Sequence, residues 1–198
     1  MSTSSHDLTI RLPRAVAAGG ESSLRPHEIE RLVIEMFDEC RSALLRYVSS
    51  LGVPLCDGEE IIQEVFLALF RHLQLGRPQD NLRGWIFRVA HNLALKKCLA
   101  NQRLKLRREP DNQVLEQRDP GPTPEEGAAG KQRQELLRAV VEAMPERERR
   151  CLYLRAEGLR YREIARVLGM SLGAVSIALT RAFGRLARAE AGCDRARH

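Results

Sequence analysis

LRYREIARVLGMSLGAVSIALTRAFGR, residues 159–185, reads as two helices joined by a tight turn. In the first, Tyr161, Ile164, Ala165 and Leu168 are apolar at helical spacing. Gly169 follows, where a helix ends on a left-handed residue that only glycine adopts cheaply. Ser171 is placed to cap the second helix, whose inner stripe is Val175, Leu179, Ala182 and Leu186. Ala165 is small where crossing helices must approach, and Met170 and Val175 fill the space between them. Small residue, glycine and cap fall at the offsets of a helix-turn-helix, whose second helix enters the DNA major groove. An ordinary helical hairpin is the plainer alternative.

The rest of the chain is helical by the same test. Its 198 residues carry a formal charge of +6, with a pI near 9.4, a basic excess that suits a nucleic-acid partner. Strand signals are sparse and apolar residues recur at three and four, so the expected class is all-α. No apolar run is long enough to span a bilayer, and residues 1–27 have no apolar signal core; they read as a disordered tail. The five cysteines, Cys40, Cys56, Cys98, Cys151 and Cys193, are scattered without a C-x-x-C pair. That argues against a disulfide framework or zinc site and fits a cytoplasmic protein.

Residues 29–51 form an amphipathic helix through Ile29, Leu32, Val33, Met36, Phe37, Cys40, Leu44, Val48 and Leu51. Gly52 and Pro54 break it. A second helix starts near Asp57, with Ile61, Ile62, Val65, Phe66, Leu69, Phe70 and Leu73 inward and Glu60, Gln63, Glu64 and Arg71 outward. Residues 75–81 are a turn punctuated by Gly76, Pro78, Asp80 and Asn81. A third helix, 82 to about 104, should face Trp85, Ile86, Val89, Ala90, Leu93 and Ala94 inward. Arg83, Arg88, His91, Asn92, Lys96 and Lys97 then supply a polar, largely cationic surface.

Residues 109–130, with four prolines, three glycines and few large apolar side chains, read as a flexible linker. Helicity resumes near Lys131, where Leu136, Leu137, Val140, Val141 and Met144 form a stripe, and Pro145 opens the next helix. The expected organisation is two small helical domains, 28–108 and 131–190, joined by that linker, with a basic tail at 191–198.

DGEEIIQEVFLALFRHL (57–73) followed by NLRGWIFRVAHNLALKK (81–97) resembles domain 2 of bacterial RNA polymerase sigma factors of the sigma-70 family. The likeness is to the compact extracytoplasmic-function (ECF) group. MPERERRCLYLRAEGLRYREIARVLGMSLGAVSIALTRAFGRL (144–186) resembles their domain 4. The resemblance implies a non-enzymatic subunit, with no cofactor, metal or small-molecule substrate. It would bind core RNA polymerase, select promoter DNA and help melt it, with an anti-sigma factor as a further partner. It implies core-polymerase contacts at Asp57, Glu60, Gln63, Glu64 and Leu67, although the same residue types also suit a solvated helix face. It implies contacts to the melted minus-ten strand at Asp80, Asn81, Arg83, Arg88, His91, Asn92, Lys96 and Lys97, with residues 76–81 matching a base-capturing loop. Trp85 reads better as a core aromatic than as a stacking platform, and His91 equally as a surface histidine.

For the duplex minus-35 element the matching positions are Ser171, Leu172, Gly173, Ser176, Ile177, Thr180 and Arg181. Here the chain departs from the family, which usually carries Lys or Arg near Ser176 and Ala178. Fewer cations imply weaker, less salt-dependent duplex binding, with Arg160, Arg162, Arg181 and Arg185 left to supply positioning charge. The competing function is a polymerase-independent helix-turn-helix regulator of the LuxR-like kind. An enzyme finds no support in any His/Asp metal pattern, phosphate loop or nucleophile–base set.

Overall fold

The structure, a computed structural model, describes residues 24–107 and 128–195. Among them are seven helices and no strand: α1 (Pro26–Ser50), α2 (Leu55–Gln74), α3 (Leu82–Arg107), α4 (Ala128–Glu142), α5 (Glu146–Ala156), α6 (Tyr161–Leu168) and α7 (Leu172–Arg195). The all-α class follows from the three-and-four spacing of apolar residues along each segment. Several ends differ from the sequence reading. Pro26 starts α1 inside the expected tail, where its missing N–H costs nothing, and Glu28 Oε2 accepts from the Arg25 N–H at 2.7 Å. Helix α2 begins at Leu55 rather than Asp57, α4 at Ala128 rather than Lys131, and α7 runs on to Arg195, into the expected basic tail. Most of the expected N-terminal tail and linker lies outside the described residues.

Helices α1, α2 and α3 pack on one another. Cys40, Leu44 and Val48 of α1 meet Ile62, Val65 and Leu69 of α2 and Ile86, Ala90 and Ala94 of α3, all essentially solvent-free. Phe37 and Phe66 pack edge to face at 5.0 Å. Residues 128–195 form the second group, in which α5, α6 and α4 lie against α7. Cys151, Leu154, Leu159, Ile164, Val175, Leu179 and Ala182 are fully buried there.

The two groups do not stand apart. Helix α6 lies on α3 and α5 touches α1, so buried Cys151, Leu154, Leu159 and Ile164 belong to one continuous apolar cluster with the α1–α3 core. This accounts for two differences on α3. Phe87, absent from the expected inner stripe, is completely buried. His91, expected on the polar surface, is only 5% exposed. Its Nδ1 shares a hydrogen bond with the Tyr47 hydroxyl at 2.8 Å, and burial holds the phenol protonated and the imidazole neutral. Burial, reinforced by the positive charge of Arg150, lowers the His91 pKa to about 4.

Two glycines make opposite demands. Gly169 ends α6 with φ 64°, the left-handed region, so Gly169→Ala is expected to cost about 1–2 kcal/mol. Gly58 sits within α2, and an added Cβ would meet Leu45 and Val48 at ordinary contact distances of 3.6 and 3.8 Å. Gly58→Ala is expected to stabilise by about 0.5–1 kcal/mol; urea unfolding of both variants checks the pair.

His91 also sets a pH dependence. The unfolded chain takes up its proton near 6.5, the folded chain not until about 4, so acid favours unfolding across that window. Between pH 7 and pH 5 the wild type is expected to lose about 2 kcal/mol that His91→Gln does not lose. Denaturant titrations of both proteins at the two pH values read the difference directly.

Candidate functional site

The turn at 169–171 has the geometry its residues dictate. The Met170 N–H returns to the Ala165 carbonyl at 2.9 Å, and Ser171 Oγ accepts from the Ala174 N–H at 3.2 Å, capping α7. Val175, Ala178, Leu179 and Ala182 bury one side of α7. That registers Ser171, Leu172, Gly173, Ser176, Ile177, Thr180 and Arg181 together on the opposite, exposed side. Leu172 is 47% and Ile177 55% exposed, a large apolar area to leave on a surface. Arg160 and Arg162 are exposed nearby in sequence. Arg185 is not available in the same way: its Nε lies 3.1 Å from the carboxylate of Glu148, which is buried. It neutralises an interior charge instead of offering its own to a ligand.

On α2 the expected docking residues share a face. Glu60, Gln63, Glu64 and Leu67 fall at i, i+3, i+4 and i+7 and are all exposed, Leu67 by 57%. Asp57 departs from them. It is half-buried, 3.0 Å from Lys97 Nζ and 3.2 Å from Asn101 Nδ2, and these bonds, Lys97 first, hold its carboxyl below the usual range. Glu60 also reaches Lys97, at 3.1 Å.

The residues expected to meet a single strand do not form one surface. Arg88, Asn92 and Lys96, four apart on α3, share an outward strip. Lys97 points instead to the start of α2, where its two carboxylate partners hold it. Asp80 is exposed, but Asn81 turns back to cap α3: it has φ 59°, and its Oδ1 accepts from the Gly84 N–H at 3.2 Å. Trp85 is half-buried against His72, ring centres 4.6 Å apart, and His72 Nε2 lies 2.9 Å from the Pro78 carbonyl oxygen, which ties the 75–81 turn to the body.

Arg83 and His91 occupy a different side of α3, under α5 and α6. Arg83 Nη2 donates to the Glu157 carbonyl at 2.8 Å, and Nη1 pairs with Glu39 at 2.9 Å. Its guanidinium lies over Phe87. Glu157 also receives both Arg46 donors, Nε at 2.9 Å and Nη2 at 2.6 Å. Sequence reasoning missed this group, because Arg46 and Glu157 are 111 residues apart and neither belongs to a local motif.

The chain is similar to known proteins. Residues 36–104 match the family model for Sigma-70 region 2, and residues 134–186 that for Sigma-70 region 4; together they take in more than half of the chain. The chain is 27% identical over 158 residues to the ECF RNA polymerase sigma-E factor of Escherichia coli (strain K12), covering 76% of this chain and 80% of that protein. It is 31% identical over 122 residues to the ECF RNA polymerase sigma factor SigE of Mycolicibacterium smegmatis, covering 60% of this chain and 46% of that one. Two solved structures share the fold. One is the sigma factor RpoE of Bartonella quintana, crystallised with the anti-sigma factor NepR, with TM-score 0.62, 17% identity and coverage of 81% and 96%. The other is CnrH in complex with the cytosolic domain of CnrY, with TM-score 0.52, 23% identity and coverage of 80% and 87%. Two family models in their expected order, on a body whose last helix carries a capped and exposed groove face, lead to one assignment: the chain belongs to the ECF group of the sigma-70 family, the sigma factors that bind core RNA polymerase and direct promoter recognition and melting.

Proposed function

We propose a division of that work among three faces. The α2 face of Glu60, Gln63, Glu64 and Leu67 docks on core polymerase. The α3 strip of Arg88, Asn92 and Lys96, with Asp80 and the 76–81 turn beside it, holds the separated minus-ten strand. The α7 face from Ser171 to Arg181 reads the duplex minus-35 element. The observation that carries the reading is the α2 face: four side chains in helical register, a large apolar one among them, lie exposed. Glutamate and glutamine beside an uncovered leucine suit a protein partner, where a desolvated apolar anchor is rimmed by hydrogen-bonding groups.

Unstacking bases costs a few kcal/mol per step. Cationic contacts from Arg88 and Lys96 to a displaced strand offset that cost. The chain works as two units, 28–108 and 131–190, joined through 109–130. It performs no catalysis and acts in the cytoplasm; no single helix among the described residues is long and apolar enough to cross a membrane. An anti-sigma factor is a further partner, a reading supported by the relative named above, which was crystallised with one.

On the duplex-reading face Arg181 is the one cation among the seven positions. Leu172 and Ile177 offer apolar surface suited to thymine methyl groups, and Ser176 and Thr180 offer hydroxyls to base edges. Specificity then arises with little non-specific attraction.

Two experiments test the assignment. Gln63→Ala with Glu64→Ala is expected to weaken binding to core polymerase by about tenfold or more, with the helical circular-dichroism signal intact. Wild-type affinity in that variant removes α2 as the docking face. In duplex binding by the holoenzyme, Arg181→Ala is expected to weaken all sequences alike and lower the salt slope by about one. Ile177→Ala is expected to change sequence preference at the minus-35 element and leave the slope unchanged. The reverse assignment of effects refutes the proposed roles.

A further inference from the structure

His72 stands near the end of α2, where the chain leaves the helix for the 75–81 turn. It is a buried histidine, 8% exposed, with its ring against Trp85 of α3. It grips the turn twice. Its backbone carbonyl accepts from the Arg77 N–H at 3.3 Å, and its ring Nε2 meets the Pro78 carbonyl oxygen at 2.9 Å. A carbonyl oxygen only accepts, so Nε2 carries the proton and donates. The other ring nitrogen, Nδ1, is buried and has no partner among the described residues. An unpaired buried polar atom is a cost that an apolar side chain would avoid. The one hydrogen bond the ring makes goes to the turn.

The far end of the turn is fixed separately. Asn81 holds a left-handed backbone, φ 59°, the only non-glycine to do so among the described residues, and its Oδ1 accepts from the Gly84 N–H at 3.2 Å. The close approach depends on Gly84, where a Cβ would lie 2.5 Å from Asn81 Nδ2. Pro78, at the near anchor, has a fixed φ and no N–H, so its carbonyl is its whole backbone hydrogen-bonding capacity. Only Gln79 and Asp80 lie between the two anchors, and both are exposed. The turn is therefore shaped from beneath, by a buried side chain that a bound strand need not touch. A recognition loop held in its working shape before binding has less freedom to lose when the ligand arrives.

We infer that His72 is a positioning residue: with Trp85 steadying its ring, it holds the Pro78 carbonyl, fixes the course of Gln79 and Asp80, and so sets which base the turn accepts at one position of the separated strand. The inference rests on the proposed role of the 76–81 turn in holding the minus-ten strand. His72 touches no nucleotide itself. It acts through the turn, so its effect falls on discrimination between bases. Overall strand affinity comes from the cationic contacts of Arg88 and Lys96, which carry no sequence information.

Two substitutions separate the ring from its donor. His72→Phe keeps an aromatic face for Trp85 and removes the hydrogen bond. His72→Gln puts an amide N–H near the place of Nε2. Holoenzyme binding is measured on forked promoter fragments carrying each of the four bases at each unpaired minus-ten position, and Gln79→Ala with Asp80→Ala identifies the position the turn reads. At that position His72→Phe is expected to lose about two- to tenfold of the wild-type base preference, the range one hydrogen bond spans, and His72→Gln to recover most of it. Preference at the minus-35 element and affinity for core polymerase are expected to stay at their wild-type values. Amide exchange of residues 75–81 in the free chain is expected to quicken in His72→Phe and to slow again in His72→Gln. An unchanged preference in His72→Phe, a loss equal for all four bases, or a His72→Gln variant that restores nothing overturns the inference. A wild type with no base preference at any unpaired position defeats the reading of the turn as a strand-holding element instead, and the exchange rates alone then decide whether His72 shapes it.

Discussion

Helix α3 is enclosed from two directions, and most of the molecule's arrangement follows from that. Ile86, Ala90 and Ala94 face the α1–α2 layer; Phe87 and His91 lie along the side toward α5 and α6. A helix buried twice has only a narrow outward strip left. Charges must gather there or be neutralised, because burying an unpaired charge is expensive. Arg88, Asn92 and Lys96 occupy the strip. Arg83 and Lys97, at its margins, are paired with carboxylates of α1 and α2. His91 stays inside by giving up its charge and sharing a hydrogen bond with the Tyr47 hydroxyl. The cationic surface is therefore smaller and more directional than the residue count of α3 suggests.

The seam between the two helical groups draws its strength from the same division between charge and apolar surface. Its ion pairs contribute little individually, at about 0–1 kcal/mol for exposed pairs. Apolar burial contributes more, with whole side chains worth roughly 1.5–3 kcal/mol each. Yet Leu154, Leu159 and Ile164 also serve the core formed with α7, so only part of their burial would be lost on separation.

What was legible in the sequence was local. The α6–turn–α7 unit is encoded within 27 residues by an apolar stripe, a left-handed glycine and a capping serine; the glycine and serine do what their chemistry requires, while in the stripe Ile164 is buried, Tyr161 is exposed and Val167, outside it, is buried. Helix α2 has one buried face, so periodicity found it; on α1 it found the stripe but not Tyr47, which is buried beside Phe87 and His91. Helix α3 defeated the same test, because the test assumes one apolar face, and Phe87 with His91 forms a second. Charge pairing across helices was equally invisible. Lys97 looked like a free cation until Asp57 and Glu60 were brought to it, and Arg185 until Glu148 was. The Arg46–Glu157 contact joins positions that no window of sequence contains together.

The cation-poor face of α7 has a further consequence for how the chain works. A reader with many lysines grips any duplex, and the counterions it releases give affinity without discrimination. A reader built on Leu172, Ile177, Ser176 and Thr180 has little such grip. It gains affinity only where methyl groups and base-edge acceptors match, each good contact being worth about 1–3 kcal/mol. Alone it would hold DNA weakly. Attached through the proposed α2 docking face to a large polymerase, such a reader would meet its element at the high effective concentration that tethering provides. Weak intrinsic binding would then be an advantage, since discrimination would follow assembly.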